Sequence, residues 1–258
     1  MPSRPNRAFL GLLPPALLFA LITWQVAADG PLLRLDERLS GDLVRPGRSS
    51  ELLADLGEVQ VAVPVLVLVA GYVAWRARAA GEARWWTPSL AALGLMLLVP
   101  LIVVPLKEWT DRPGTPAVPP ATGYYPSGHT ATAAVAYGSA VLILLPWLRS
   151  ALARRLAVAM SALLVLAVSF GLVRRGYHWP LDVVASWCLC SVLLGAFWLS
   201  PARSGRGTAA GPGSGPGGSG PGRPRQTGEP RPSTRTTRTS DPSASRTYGG
   251  ARKPQDTP

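Results

Sequence analysis

Charge is what this sequence has least of. Only 16% of its 258 residues are Asp, Glu, Lys or Arg, against about 25% in an ordinary soluble domain. The shortage is uneven, because long runs carry no charge while the stretches between them are dense with Arg. Cysteine and histidine are equally scarce, at two residues each. Cys188 and Cys190 sit two apart in an apolar run, where helical geometry points them to different faces, so they cannot bridge each other. A C-x-C pair with no partner pair is also no zinc framework. Both cysteines read as small apolar residues of a bundle. No group of histidines and carboxylates has metal-ligand spacing, so no metal or other cofactor is expected. Alternating segments of about ten residues are missing too, which excludes a membrane barrel.

What the sequence does have is apolar length. Six segments, Ala8–Ala28, Val59–Trp75, Thr87–Leu106, Thr130–Leu148, Arg155–Val173 and Leu181–Leu199, each come near the ~20 residues needed to cross a bilayer. Backbone polar groups must be paired within the segment in lipid, so runs this rich in Leu, Val and Ala read as helices. The expected fold is an all-α polytopic membrane bundle of about six transmembrane helices. The first segment follows Arg4 and Arg7 and ends in Val-Ala-Ala, as a cleaved signal peptide does. Its apolar stretch is longer than the usual h-region of about 7–15 residues, which favours a retained helix. Pro14 and Pro15 are expected to kink it. Between the first two spans, Leu32–Leu56 has irregular apolar positions and is a candidate interfacial amphipathic helix.

Three parts follow: residues 1–58 as a first span and loop, 59–199 as the core, and 200–258 as a tail. The tail is almost wholly Gly, Ser, Pro, Thr and Arg, has little that could form a core, and reads as disordered. It carries ten basic residues against three acidic ones, much of the chain's net charge of +12. That suggests anionic membrane lipid as a partner, or solubility alone. No folded basic face accompanies the charge, so nucleic acid is not an expected partner.

Loop charge sets the orientation. One set of connections carries Arg4 and Arg7, then Arg76, Arg78 and Arg84, then Arg149 and Arg154, and then the basic tail. The opposite set begins with residues 29–58, with four Arg against seven acids. Both termini are therefore expected in the cytoplasm of a multi-pass cell-membrane protein, with the opposite loops extracytoplasmic.

Those opposite loops hold the chemistry. They contain Lys107-Glu-Trp-Thr-Asp-Arg112-Pro113, then Pro126-Ser127-Gly128-His129, then Arg174-Arg175-Gly-Tyr-His178-Trp-Pro-Leu-Asp182. Lys107, Arg112 and Arg174 can form a cationic pocket for phosphate. Ser127 and Gly128 precede a helix whose first N–H groups can face an anion. His178 and Asp182 are one helical turn apart, so the carboxylate can fix the ring tautomer and leave the other nitrogen nucleophilic. His129 can then serve as acid and base. Each residue also has a plainer reading. The histidines could be interfacial, Asp182 a helix-dipole partner, Ser127 a helix cap, and Lys107, Arg174 and Arg175 snorkelling anchors. Trp109, Tyr124, Tyr125, Tyr177 and Trp179 read as an interfacial belt, with Tyr177 and Trp179 able to wall the pocket.

With these motifs at span boundaries, the chain resembles the type 2 phosphatidic acid phosphatase superfamily. The resemblance covers about Val59–Leu199 and is firmest over Lys107–Asp182. It implies a metal-independent phosphatase acting on a lipid phosphomonoester or pyrophosphate. His178 is implied as nucleophile through a phosphohistidine, His129 as acid/base and Asp182 as the group orienting His178. Lys107, Arg112, Ser127, Gly128 and Arg174 are implied as phosphate binders. Two positions depart from the family pattern: Gly114 and Leu172 stand where arginines are usual. A lipid-linked phosphotransferase and a catalytically weakened anion-binding or transport protein are the alternatives.

Overall fold

The computed structural model describes residues 10–200. The expected disordered tail from residue 201 onward lies outside the described residues, as do the first nine positions. Every regular element among the described residues is helical: α1 (Leu13–Ala27), α2 (Leu32–Leu43), α3 (Arg48–Asp55), α4 (Val59–Ala79), α5 (Thr87–Thr110), α6 (Gly128–Leu144), α7 (Ala151–Arg175) and α8 (Pro180–Leu199). A short 3₁₀ turn, Leu145–Trp147, extends α6.

Five of these helices, α4 to α8, are long and apolar enough to cross a membrane, and α1 with α2 makes a possible sixth span bent by 91°. The chain is thus a multi-pass helical membrane protein. The first segment differs from expectation in shape. Pro14 and Pro15 fall in the first turn of α1, where a missing N–H costs nothing, so they start the helix rather than kink it. Residues 32–56 include two helices, α2 and α3, separated by residues 44–47.

The core follows from residue size. The α6 sequence Gly-His-Thr-Ala-Thr-Ala-Ala-Val-Ala-Tyr-Gly-Ser-Ala is small almost all round, which lets neighbouring backbones approach closely. It is the central helix, packed against α4, α5, α7 and α8. Large apolar side chains such as Leu68, Leu97, Leu101, Leu152 and Leu163 face outward instead, the arrangement a bilayer rewards. Polar ties cross between elements: Ser89 Oγ donates to the Ala70 carbonyl at 2.7 Å, Tyr137 Oη to Leu56 at 2.6 Å, and Trp187 Nε1 to Ser169 Oγ at 3.0 Å. Cys188 and Cys190 are both free and buried.

The N-terminal helices close one end of the bundle. α1 packs on α8, and Thr23 Oγ1 is hydrogen-bonded to Tyr125 Oη at 2.7 Å. α3 lies on α7 at Gly171, where an added Cβ would stand 2.6 Å from the Ala54 nitrogen and 2.7 Å from the Ser50 carbonyl oxygen. No side chain fits there, so glycine sets that approach.

Candidate active site

The connection between α5 and α6 and the one between α7 and α8 emerge at the same end of the bundle, beside the start of α4. Between them lies a cavity of about 460 Å³. Lys107, Tyr124, Gly128, His129 and His178 line it, with Gly57 and Val59 on the α4 side.

Each wall has a local cause. α6 begins at Gly128 because Ser127 caps it, its Oγ accepting the Thr130 N–H at 3.3 Å. The amides of Gly128 and His129 are in the first turn, where no intrahelical acceptor exists. α7 ends at Gly176, whose φ of 77° lies in the left-handed region that glycine adopts freely. The chain then reverses through Tyr177 and His178 into α8, which starts with Pro180 at its first position. Lys107 reaches in from the last turn of α5, and its Nζ donates to the Gly123 carbonyl at 2.6 Å.

The two histidines face each other across this space. Their ring centroids are 6.4 Å apart with planes at 62°, too far for their nitrogens to hydrogen-bond directly. Asp182 is fully buried behind His178, with Oδ2 3.2 Å from the ring Nδ1 and accepting the Trp179 N–H at 3.2 Å. That contact assigns the proton to Nδ1 and leaves Nε2 as the free nitrogen. Tyr124 meets His178 edge-on, with centroids 5.8 Å apart. Among the described residues no group of three His, Cys, Asp or Glu side chains is placed to hold a metal ion.

Not every expected phosphate binder reaches the cavity. Lys107 and Gly128 line it. The Ser127 side chain is buried and occupied in capping, and its N–H donates to the Asp182 carbonyl. Arg112 is also buried, but its guanidinium turns to two carboxylates, Asp182 Oδ1 at 2.5 Å and Asp36 Oδ2 at 2.6 Å. It also lies over the Trp179 ring, 5.5 Å from the centroid. Arg174 points away, over the Phe170 ring on its own helix, and Arg175 pairs with Glu51 at 3.5 Å. The two departures from the family pattern are filled: Leu172 is buried in the apolar core, and Gly114 is packed under Tyr124.

Sequence reasoning missed Asp36. Its Oδ1 accepts the Leu181 N–H in the first turn of α8 at 2.9 Å, while Oδ2 takes Arg112. Both oxygens accept hydrogen bonds, so the ionised form is the one this setting accommodates. The only signal in the sequence is an acid inside a short amphipathic helix. Tyr124 and Tyr125 were also placed differently, since Tyr124 walls the cavity and Tyr125 is wholly buried rather than interfacial.

Residues 88–206 match the PAP2 superfamily. No curated protein matches the chain. Among solved structures, a transmembrane PAP2 type phosphatidylglycerolphosphate phosphatase from Bacillus subtilis is similar, with a TM-score of 0.59 and 23% sequence identity. The alignment covers 71% of this chain and 93% of that one. The stretch that matches the PAP2 superfamily, residues 88–206, takes in both histidines, Asp182, Lys107 and Arg112, and the fold it shares with the solved structure is that of a transmembrane helical bundle.

Proposed function

We propose that this protein is an integral membrane phosphatase that hydrolyses a lipid phosphomonoester through a phosphohistidine on His178. The observation that carries this reading is the pair of histidines facing each other across a cavity that also holds Lys107 and the start of α6. Asp182 backs only one of the two. That asymmetry supports separate roles for otherwise identical side chains.

In this reading the substrate phosphoryl group sits between the rings. Lys107 and the Gly128 and His129 amides hold its oxygens. His178 Nε2 attacks phosphorus, the bond from phosphorus to the lipid oxygen breaks, and His129 gives a proton to the departing alcohol. His129 then takes a proton from water as that water attacks the phosphohistidine. Phosphate leaves and His178 is restored. The Asp182 carboxylate stabilises the positive charge on His178 while the phosphoryl group is attached. Catalysis of this kind rests on positioning and electrostatics, and no step draws on a metal.

Lys107 is the one Lys or Arg among the described residues that line the cavity. A single such cation matches a phosphomonoester better than a pyrophosphate, which brings more negative charge into the same space. The similar solved structure is that of a phosphatidylglycerolphosphate phosphatase, which supports the same class. The distribution of Arg between the loops supports a site on the extracytoplasmic face.

The test is phosphate release by the detergent-purified protein from a panel of lipid monophosphates and pyrophosphates, with EDTA present. Release from monophosphates that is lost in His178→Ala is the expected result. Release that survives His178→Ala, or that needs added Mg²⁺, contradicts the mechanism. Transfer to an added alcohol in preference to water would favour a phosphotransferase.

A further inference from the structure

The cavity explains five of its neighbours but not Asp36. This residue lies on α2, outside the stretch that matches the PAP2 superfamily. It is 1% exposed and makes two charge-assisted hydrogen bonds, one to Arg112 and one to the first turn of α8. Its position matters because of what Arg112 does next. The same guanidinium holds Asp182 Oδ1, while Asp182 Oδ2 faces His178 Nδ1. Four side chains therefore run in line: Asp36, Arg112, Asp182, His178.

Charge explains why the second carboxylate is needed. Arg112 with Asp182 alone would be a neutral pair, and the Asp182 carboxylate would be largely spent on the guanidinium. With Asp36 sharing the same guanidinium, the trio keeps a net negative charge behind the ring. In a buried setting such charge is weakly screened, and it favours the cationic phosphohistidine over the neutral starting imidazole. The Asp36 bond to Leu181 N–H also ties the trio to the start of α8, the element that carries Asp182.

We propose that Asp36 is a positioning residue for the His178–Asp182 pair, acting through Arg112 and keeping the charge behind the His178 ring negative. The helix that precedes the PAP2-matched segment thereby completes the site. This rests on His178 being the nucleophile, as proposed above.

The test uses the full chain in detergent with a lipid monophosphate. Wild type and His178→Ala come first: release by the former and not by the latter establishes the nucleophile independently of Asp36. Asp36→Asn keeps the side-chain shape and removes the charge. Its kcat is expected to fall by about 10–100-fold with KM little changed, the scale typical of buried carboxylates that orient a functional histidine from behind. The double variant Asp36→Asn with Arg112→Gln restores the net negative charge by removing one anion and one cation together. Its kcat is expected to recover to within about tenfold of wild type, using the same scale.

A merely structural role predicts the opposite order, because the double variant loses more contacts than the single one. An Asp36→Asn kcat equal to wild type overturns the proposal. So does a folded double variant no more active than Asp36→Asn. If Asp36→Asn alone yields no folded protein, the double variant carries the decision: activity near wild type supports the proposal, and a folded but inactive protein overturns it.

Discussion

Arg112 holds apart two carboxylates in an interior where water is scarce. Asp36 and Asp182 are 1% and 0% exposed, and each gives the guanidinium one oxygen. Removing the cation leaves both anions uncompensated, which in buried pairs costs about 3–5 kcal/mol. Arg112→Met is therefore expected to lower the melting temperature sharply in detergent, and unchanged melting would show that the trio is not a stabilising unit. Lys107 belongs to a different class. It lines the cavity, and in the proposed mechanism it holds the phosphate before and during transfer, so its removal should weaken binding more than turnover. A charged hydrogen bond is worth about 1.5–3 kcal/mol, so Lys107→Met should raise KM by about tenfold or more while kcat changes less. A fall confined to kcat would instead assign Lys107 to the transition state.

The same residues mark what spacing can convey. His178 and Asp182 are four apart and meet because Asp182 is on the first turn of α8 and His178 lies just before its N-cap, Trp179. Arg174 is also four from His178, yet the two diverge. Gly176 ends α7 with a left-handed backbone between them, so helical spacing does not apply across that break. Arg112 could be seen as a cation near the site, but not as one already claimed. Its partner Asp36 is 76 positions away, and sequence separation of that size says nothing of where a side chain turns.

At the level of elements, the spans were legible because apolar length is a strong signal, and α4 to α8 lie where the runs predicted. The end helices were less so. α2 and α3 are short and polar, and their boundaries depend on partners rather than on pattern. α3 is held by backbone proximity at Gly171 of α7, a contact that no periodicity announces. Gly171→Leu must push the two helices apart, and overpacking of this kind costs about 1–3 kcal/mol. Because α3 leads into Gly57 and Val59 on the cavity wall, the variant should lose activity as well as stability. Phosphate release at the wild-type rate, with unchanged melting, would show that α3 is loosely held.

For the whole molecule, the bundle is apolar outside and small or polar inside, with its candidate chemistry at one end. Aromatic and Arg side chains gather at the other: Arg76 stacks on Tyr72 and Trp147, and Arg78 on Trp85. Such a clustering suits an interface with anionic lipid. If that end is cytoplasmic, cysteines introduced at the two ends will behave differently. Thr122→Cys, in the loop beside the cavity, should be labelled in intact cells by a membrane-impermeant maleimide. Glu82→Cys, between α4 and α5, should be labelled only after permeabilisation. The reverse pattern would invert the orientation. Cys188 and Cys190 are buried and should contribute little background.

The central claim is that the phosphoryl group passes through His178, and a trapped intermediate tests it most directly. Brief incubation of the protein with a ³²P-labelled lipid monophosphate, followed by denaturation, should leave label that is acid-labile and base-stable, as expected for a phosphoramidate. The labelled peptide should contain His178, and the label should be lost when the protein is chased with unlabelled substrate before denaturation. Label on another residue, or label that persists in His178→Ala, would contradict the account.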